Sequence, residues 1–462
     1  MDQYEAPLAQ VAFNIALQLR GGDILYLADD EQQGEALSWA LKSLVDAETV
    51  FFIPSSDALP GDVAPASPAN TGRRVAALHS LRLAQQREGR EAIAVILSGE
   101  GAARPYPAPG SFDDAPPMLK SGDAIDLSTF TDQAEQLGYF ADDRIDEPGE
   151  IAIRGEVIDI FPADAGLPAR IDVADGRITA IRCYDPVTQR TVKELDELKI
   201  GRAAEPRISD PVPITAHMAP SLILRSPMAD RRRKRFVQLA TDNAGRTGAR
   251  IEAIDDAAWE ERLKDWRSAD PDLPGQRIPS FAEGKAPLAA LARFVRPLLA
   301  EGRVLILVGS ARDVRFLRSK IAKRLDIDIA VLSSLEDIEA LPPGSAGCIV
   351  MPVETGFLDE RRIVIAASDI LGSRAQLSDV QTAGTDSWTG SGAEIRVGDM
   401  VVHEDHGVAR VAGLTAAPAT DGSAEPGEMI ALEYADNARR LVSIEDADRI
   451  WRYGGDAEAV SL

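Results

Sequence analysis

Three short apolar runs constrain this chain most: DILYLAD (23–29), TVFFIP (49–54) and AIAVILS (92–98). Stretches of helical periodicity separate them, EQQGEALSWALKSL (31–44) and TGRRVAALHSLRLAQQRE (71–88). A strand that is apolar at nearly every position needs cover on both faces, and helices between such strands make them parallel. The opening stretch therefore predicts an α/β layer around a mostly parallel sheet. The Pro/Gly-rich ARPYPAPGSFDDAPP (103–117) then reads as a linker.

The pattern then changes. STFTDQAEQLGY (128–139) places Phe130, Ala134 and Leu137 on one helical face, with Gly138 as a stop. EIAIRGEVIDIFP (150–162) and ARIDVADGRITAIRCYDP (169–186) follow. In the second, Asp175-Gly176 marks a two-residue hairpin. That turn pairs Val173 with Ile178 and Ile171 with Ala180, which leaves Arg170 and Asp172 on the other face. A small antiparallel sheet with one helix is expected here. From 203 to 275 the only distinct feature is RRRKRFVQLA (231–240), for which a solvated helix face is preferred to a nucleic-acid contact.

A second α/β unit begins at VLILVGS (304–310). Ser310 can cap the following helix, on which Val314, Leu317 and Ile321 share a face. IDIAVL (327–332), GCIVMP (347–352) and RIVIAA (362–367) are further strands, and LSDVQTAGTDSWTGSG (377–392) is a polar linker. From 394 the chain is β-rich, with Asp436 and Asn437 at a turn, and suggests a small barrel. The expected class is multidomain α/β and α+β.

With 462 residues, three or four domains are expected. The net charge of −24 disfavours tight non-specific DNA binding and suits protein partners better. Cys183 and Cys348 are far apart and read as buried strand residues, so no disulfide framework is expected. No stretch approaches the roughly 20 apolar residues that span a bilayer, and no signal-peptide pattern opens the chain. A cytoplasmic location without membrane contact is the expectation.

Chemistry-bearing motifs point the same way. No GxxxxGK[ST], GxSxG or HExxH occurs. LVGSARD has one glycine and no suitably placed lysine, so it reads as an ordinary strand-to-helix turn. His403 and His406, in VVHEDHGVARVAGL (401–414), would share a face on a helix. The pattern there is strand, turn, strand, so a structural turn is preferred to a metal site. No catalytic residue, metal or cofactor is expected.

Several stretches together resemble one family, the bacterial transcription-repair coupling factors (Mfd), whose first part is related to UvrB. GYFADDRIDEPGEIAIRGEVIDIFPADAGLPARID and YDPVTQRTVKEL (184–195) resemble its second domain. LPGDVAPASPANTGRRVAALHSL (59–81) resembles a motif of the first domain, and ETGFLDERRIVIAASDILGSR (354–374) the third. IRVGDMVVHEDHGVARVAGL, with MIALEYADNARRLVSIEDADRIWRYGG, resembles the CarD-like polymerase-interacting domain. The order is the family's.

The resemblance implies a domain plan. Residues 1–118 and 203–275 would be two parts of a UvrB-like α/β domain, with a small UvrA-binding-like α+β domain, 119–202, inserted between them. Residues 276–380 would be a further α/β domain and 381–393 a linker. Residues 394–462 would form a CarD-like, Tudor/SH3-like β-barrel.

It also implies partners: UvrA through Arg154 and Arg170, and the RNA polymerase β subunit through Val411, Leu414 and Ala417. DNA would be met only indirectly, or through the family's motor, expected beyond Leu462. ATP would enter only with that motor, so no enzymatic activity is expected of this chain. Two departures remove contact area. Ala174 stands where the family can place an aromatic residue, and Ala417 where it has a larger apolar one. The implied role is a transcription-coupled repair factor fragment or truncated relative that bridges polymerase and UvrA. The alternative is a CarD-type transcription regulator acting through the C-terminal barrel.

Overall fold

The computed structural model describes residues 6–58, 60, 65–142, 145–186, 188–206, 211–248, 251–269, 275–375, 400–403, 407–416, 428–434, 439–443 and 450–452. The chain forms two units, Met1–Ser387 and Trp388–Leu462.

The three opening apolar runs become the strands Ile24–Ala28, Val50–Phe52 and Ala94–Ser98, parallel to one another with Ala94–Ser98 in the middle. Their side chains alternate between two cores. Ile24, Tyr26 and Ala28 face one, and Leu25 and Leu27 the other. Asp30 caps the helix Glu31–Lys42 by accepting from Gln33 N–H at 2.8 Å. Ser67, followed by Pro68, caps Pro68–Gln86. Two strands from much later in the chain, Leu222–Arg225 and Arg267–Ala269, extend the same sheet beyond Ile24–Ala28.

The helix Leu8–Gln18 is buried around most of its circumference, as a helix enclosed by other elements must be. One apolar cluster joins it both to this sheet and to a second, six-stranded sheet containing Val304–Gly309, Ala346–Val350 and Arg362–Ala366. Phe13 meets Phe357 edge to face, ring centroids 5.5 Å apart, and the Arg362 guanidinium stacks on Phe13. Ser310 caps Ala311–Leu325 through Asp313 N–H at 3.1 Å, and Val314, Leu317 and Ile321 are buried as their spacing predicts.

Residues 103–117 are not a free linker. Tyr106 and Phe112 are buried, the Tyr106 hydroxyl donates to Gly101 O at 2.8 Å, and the Tyr106 backbone pairs with that of Val212. Two aromatic side chains outweigh the surrounding prolines and glycines by filling the core under Pro68–Gln86. The basic run 231–240 lies on the helix Pro227–Thr247. Arg231, Lys234 and Arg235 are exposed, but Arg233 is buried, paired with Asp256 and stacked on Trp259.

The small sheet between these halves hangs on a two-stranded stem. The chain enters through Met118–Lys120 and leaves through Glu197–Lys199, its antiparallel neighbour. Six strands follow in spatial order from Thr191–Leu195 to Phe140–Ala141, and the helix Leu127–Gln136 packs Phe130 and Ala134 on their inner face.

Asp175 and Gly176 turn the hairpin with φ of 50° and 69°, the positive pair that a type I′ turn needs. Val173 pairs with Ile178 as predicted. Ile171 pairs with Ile181 instead of Ala180, because a bulge at Thr179 shifts the register. Ile178 and Ile181 are three apart, and only an extra residue lets both face the core.

In the second unit the strands Met400–His403, Gly407–Ala416, Glu428–Glu433, Arg439–Ser443 and Ile450–Arg452 form one antiparallel sheet over Val401, Ala409, Val411, Leu432 and Val442. The last strand returns to pair with the first. The expected closed barrel is not found: among the described residues no pairing joins the outer strands Arg439–Ser443 and Ile450–Arg452. Residues 377–392, 436 and 437 lie outside the described residues.

Candidate docking surfaces

The outer face of the small sheet brings the two predicted arginines onto one carboxylate. Arg170 sits opposite Asp159 on the neighbouring strand. It donates from Nε at 2.7 Å and from Nη2 at 2.9 Å, a bidentate pair. Arg154 Nη1 lies 4.0 Å from the same carboxylate.

Asp159 is buried, and the guanidinium of Arg170 also stacks 4.8 Å above the Tyr184 ring. The hydrogen bond to Asp159 raises the Arg170 pKa further, and burial pushes the Tyr184 phenol up to about 12. The cluster is thus a fixed positive rim around one neutralising carboxylate. The Arg154 side chain is 57% exposed and that of Arg170 33%, so Arg154 is the freer donor. Beside them Arg182 pairs with Asp172, and Ala174 is exposed at the end of its strand.

Asp159 and Tyr184 escaped the sequence reading. The signal was present in VIDI (157–160), where one acid stands between two buried isoleucines on a strand.

In the second unit Val411 is a core residue, packed with Val401 and Leu432, so its side chain is turned inward. Leu414 lies in the same long strand, its side chain outside the described residues, as is Ala417 altogether. Arg410 and Glu433, opposite each other across two strands, form a partly exposed ion pair at 2.6 Å.

The described histidines serve the core. His79 Nδ1 lies 2.9 Å from Phe112 O and His217 Nε2 3.1 Å from Pro107 O. Burial lowers the His217 pKa to about 4. The side chains of His403 and His406 lie outside the described residues. Where the first strand meets its helix, Asp29, Asp30 and Glu31 crowd the helix N-terminus, and Asp30 occupies the cap. A phosphate there would face carboxylates in place of free N–H groups. Cys183 and Cys348 are buried strand residues with free thiols.

Residues 118–205 match the family model "UvrB interaction domain", and residues 395–454 match "CarD-like/TRCF RID domain". The first match spans the stem, the small sheet and the arginine cluster; the second spans all five strands of the C-terminal sheet. The transcription-repair-coupling factor of Myxococcus xanthus is 24% identical over 95% of this chain.

This chain is similar in sequence to the transcription-repair coupling factors.

The coupling factor of Escherichia coli K12 is 26% identical over 74% of the chain, and that of Haemophilus influenzae 24% over 75%. The aligned part is 36% of each of those two proteins and 44% of the Myxococcus one, so the chain spans less than half the length of these coupling factors. The modules matched by family models are interaction domains. Among the described residues no helix is long and apolar enough to cross a membrane.

Proposed function

We propose that this chain bridges RNA polymerase and the excision-repair protein UvrA without chemistry of its own. The observation that carries the proposal is the convergence of Arg154 and Arg170 on buried Asp159, on an outer sheet face inside the UvrB-interaction match. A preset guanidinium cluster suits a protein interface, since its planar forks pair with carboxylates and backbone carbonyls. Residues 394–462 supply the polymerase contact, to the β subunit. The return of the last strand onto the first is the connection a small SH3-like barrel needs, and an outer strand offers backbone pairing to a partner. With both contacts engaged, the second becomes intramolecular and modest affinities combine.

The domain plan follows: a UvrB-like domain in two parts, 1–118 and 203–275, the 119–202 insert, a 276–380 α/β domain, and the C-terminal module after 381–393. Purified chain is expected to retain both UvrA and polymerase. A second reading, a CarD-type regulator, draws on the C-terminal match. Deleting residues 1–390 separates the two. Under the bridging proposal the deletion abolishes UvrA capture and any repair effect; a transcription effect that survives it unchanged supports the regulator.

A further inference from the structure

Two helices of this acidic chain are strongly basic, and the structure uses them differently. On Pro227–Thr247 the inner cations are consumed: Arg232 bridges Glu100 at 3.2 Å, and Arg233 is buried against Asp256 and Trp259. The helix Ala311–Leu325, ARDVRFLRSKIAKRL, carries six cations and the single acid Asp313, a net +5. Its buried side is Val314, Leu317, Ile321 and Leu325. At 3.6 residues per turn the opposite face then carries Arg312, Phe316, Lys320 and Lys323, with Arg315 and Arg324 at its flanks.

Arg315, Lys320, Lys323 and Arg324 form no ion pair among the described residues. The neighbouring arginines bond to carbonyls in place of acids: Arg318 donates to Ile329 O at 2.8 Å, and Arg296 to Arg324 O at 2.9 Å. Phe316 is 48% exposed, with Lys320 Nζ 3.7 Å from its ring centroid. Within the helix no carboxylate interrupts the face; the next is Asp326, at the cap.

We propose that this face docks on the phosphate backbone of duplex DNA. Four cations without an ion pair, spread from Arg315 to Arg324 over about 14 Å of helix, are costly in an otherwise acidic chain unless a polyanion neutralises them. Protein interfaces are depleted in lysine and built on an apolar centre, whereas this face offers one aromatic ring. Single-stranded nucleic acid is held by stacking on successive aromatics, which are missing from this face, so a duplex fits better. The choice of DNA over RNA rests on the bridging reading above. The contact is weak and salt-sensitive, in the non-specific range of about 10⁻⁴ to 10⁻⁶ M, because the net charge of −24 opposes it. It gains weight once other contacts hold the chain beside DNA.

The test is fluorescence anisotropy of a labelled duplex of about 25 base pairs with the whole chain, titrated with salt from about 20 to 200 mM. The triple variant Arg315→Glu/Lys320→Glu/Lys323→Glu is compared with Arg231→Glu/Lys234→Glu/Arg235→Glu on the other basic helix, which changes net charge equally. The first should weaken binding at least about tenfold and reduce the slope of log K against log salt by about 3; the second should leave the slope intact. Unchanged melting temperatures and UvrA and polymerase binding in both variants confirm folding and separate this contact from the bridging function. Three results overturn the proposal: no binding by the parent chain at the lowest salt, equal loss in both variants, or displacement by polyglutamate as effective per charge as by DNA.

Discussion

At the scale of single residues, Asp159 organises the candidate UvrA surface. Its carboxylate is buried and satisfied by Arg170, so its removal leaves that arginine without its carboxylate partner, held only by Gln189 Oε1 at 3.3 Å and the Tyr184 ring. Asp159→Asn should cost about 1–2 kcal/mol, less than for a fully buried pair because Arg170 is one-third exposed. It should also weaken UvrA binding by loosening Arg170, while polymerase binding stays unchanged; urea melts and paired binding titrations check both. The outward aim of Arg170 was legible from period-two alternation. Its bond to Asp159 was not, since cross-strand partners depend on a register that local sequence does not state.

His217 offers a second residue-scale outcome. In the unfolded chain its ring takes a proton near 6.5, but in the fold only near 4, because burial disfavours the charge. Unfolding therefore binds a proton between those values. The stabilisation is whole above about pH 6.5 and is lost as pH falls toward 4, at most about 3 kcal/mol. Thermal melts of His217→Asn, whose amide can still donate to Pro107 O, should show a deficit at about pH 7.5 that shrinks by about pH 5. A deficit that grows on acidification would mean the ring is charged in the fold.

At the scale of elements, turns and caps were the most legible features. Asp175-Gly176 forms the predicted hairpin, and Ser310 caps the predicted helix. A Cβ built on Gly176 meets nothing closer than Ile125 O at 3.8 Å, so the cost of Gly176→Ala is conformational, about 1–2 kcal/mol from its positive φ. The loss should appear in melting curves, and in faster proteolysis of the hairpin, without loss of the stem strands.

Two elements were illegible for a shared reason. Leu222–Arg225 is four residues long and becomes a strand only through Ile24–Ala28, some two hundred positions earlier, and through Arg267–Ala269. The bulge at Thr179 appears only when Ile178 and Ile181 must both reach one core. Long-range packing decides such elements, and local propensity does not.

At the scale of the whole molecule, the insertion of the small sheet explains how one chain carries the arginine-bearing candidate face on a stable body. Strands on either side of the insert share one parallel sheet, and a common core with the second sheet extends that body. The stem Met118–Lys120 with Glu197–Lys199 then presents the arginine cluster from a fixed base. The mixed α/β class with small antiparallel sheets and the ordered family resemblance were readable in advance, whereas the expected closed C-terminal barrel is not found among the described residues. The shared core around Leu8–Gln18 was not, because a helix buried by two sheets looks in sequence like one buried by a single sheet.

The most direct test of the bridging account is a pair of titrations on the purified chain, one with UvrA and one with the RNA polymerase β subunit. Each is run on the parent chain and on Arg154→Glu/Arg170→Glu. The account predicts that the parent binds both, and that the variant loses at least about tenfold in UvrA affinity, about 1.4 kcal/mol, with polymerase affinity unchanged. A parent chain that binds neither, or a variant that loses both equally, would contradict it.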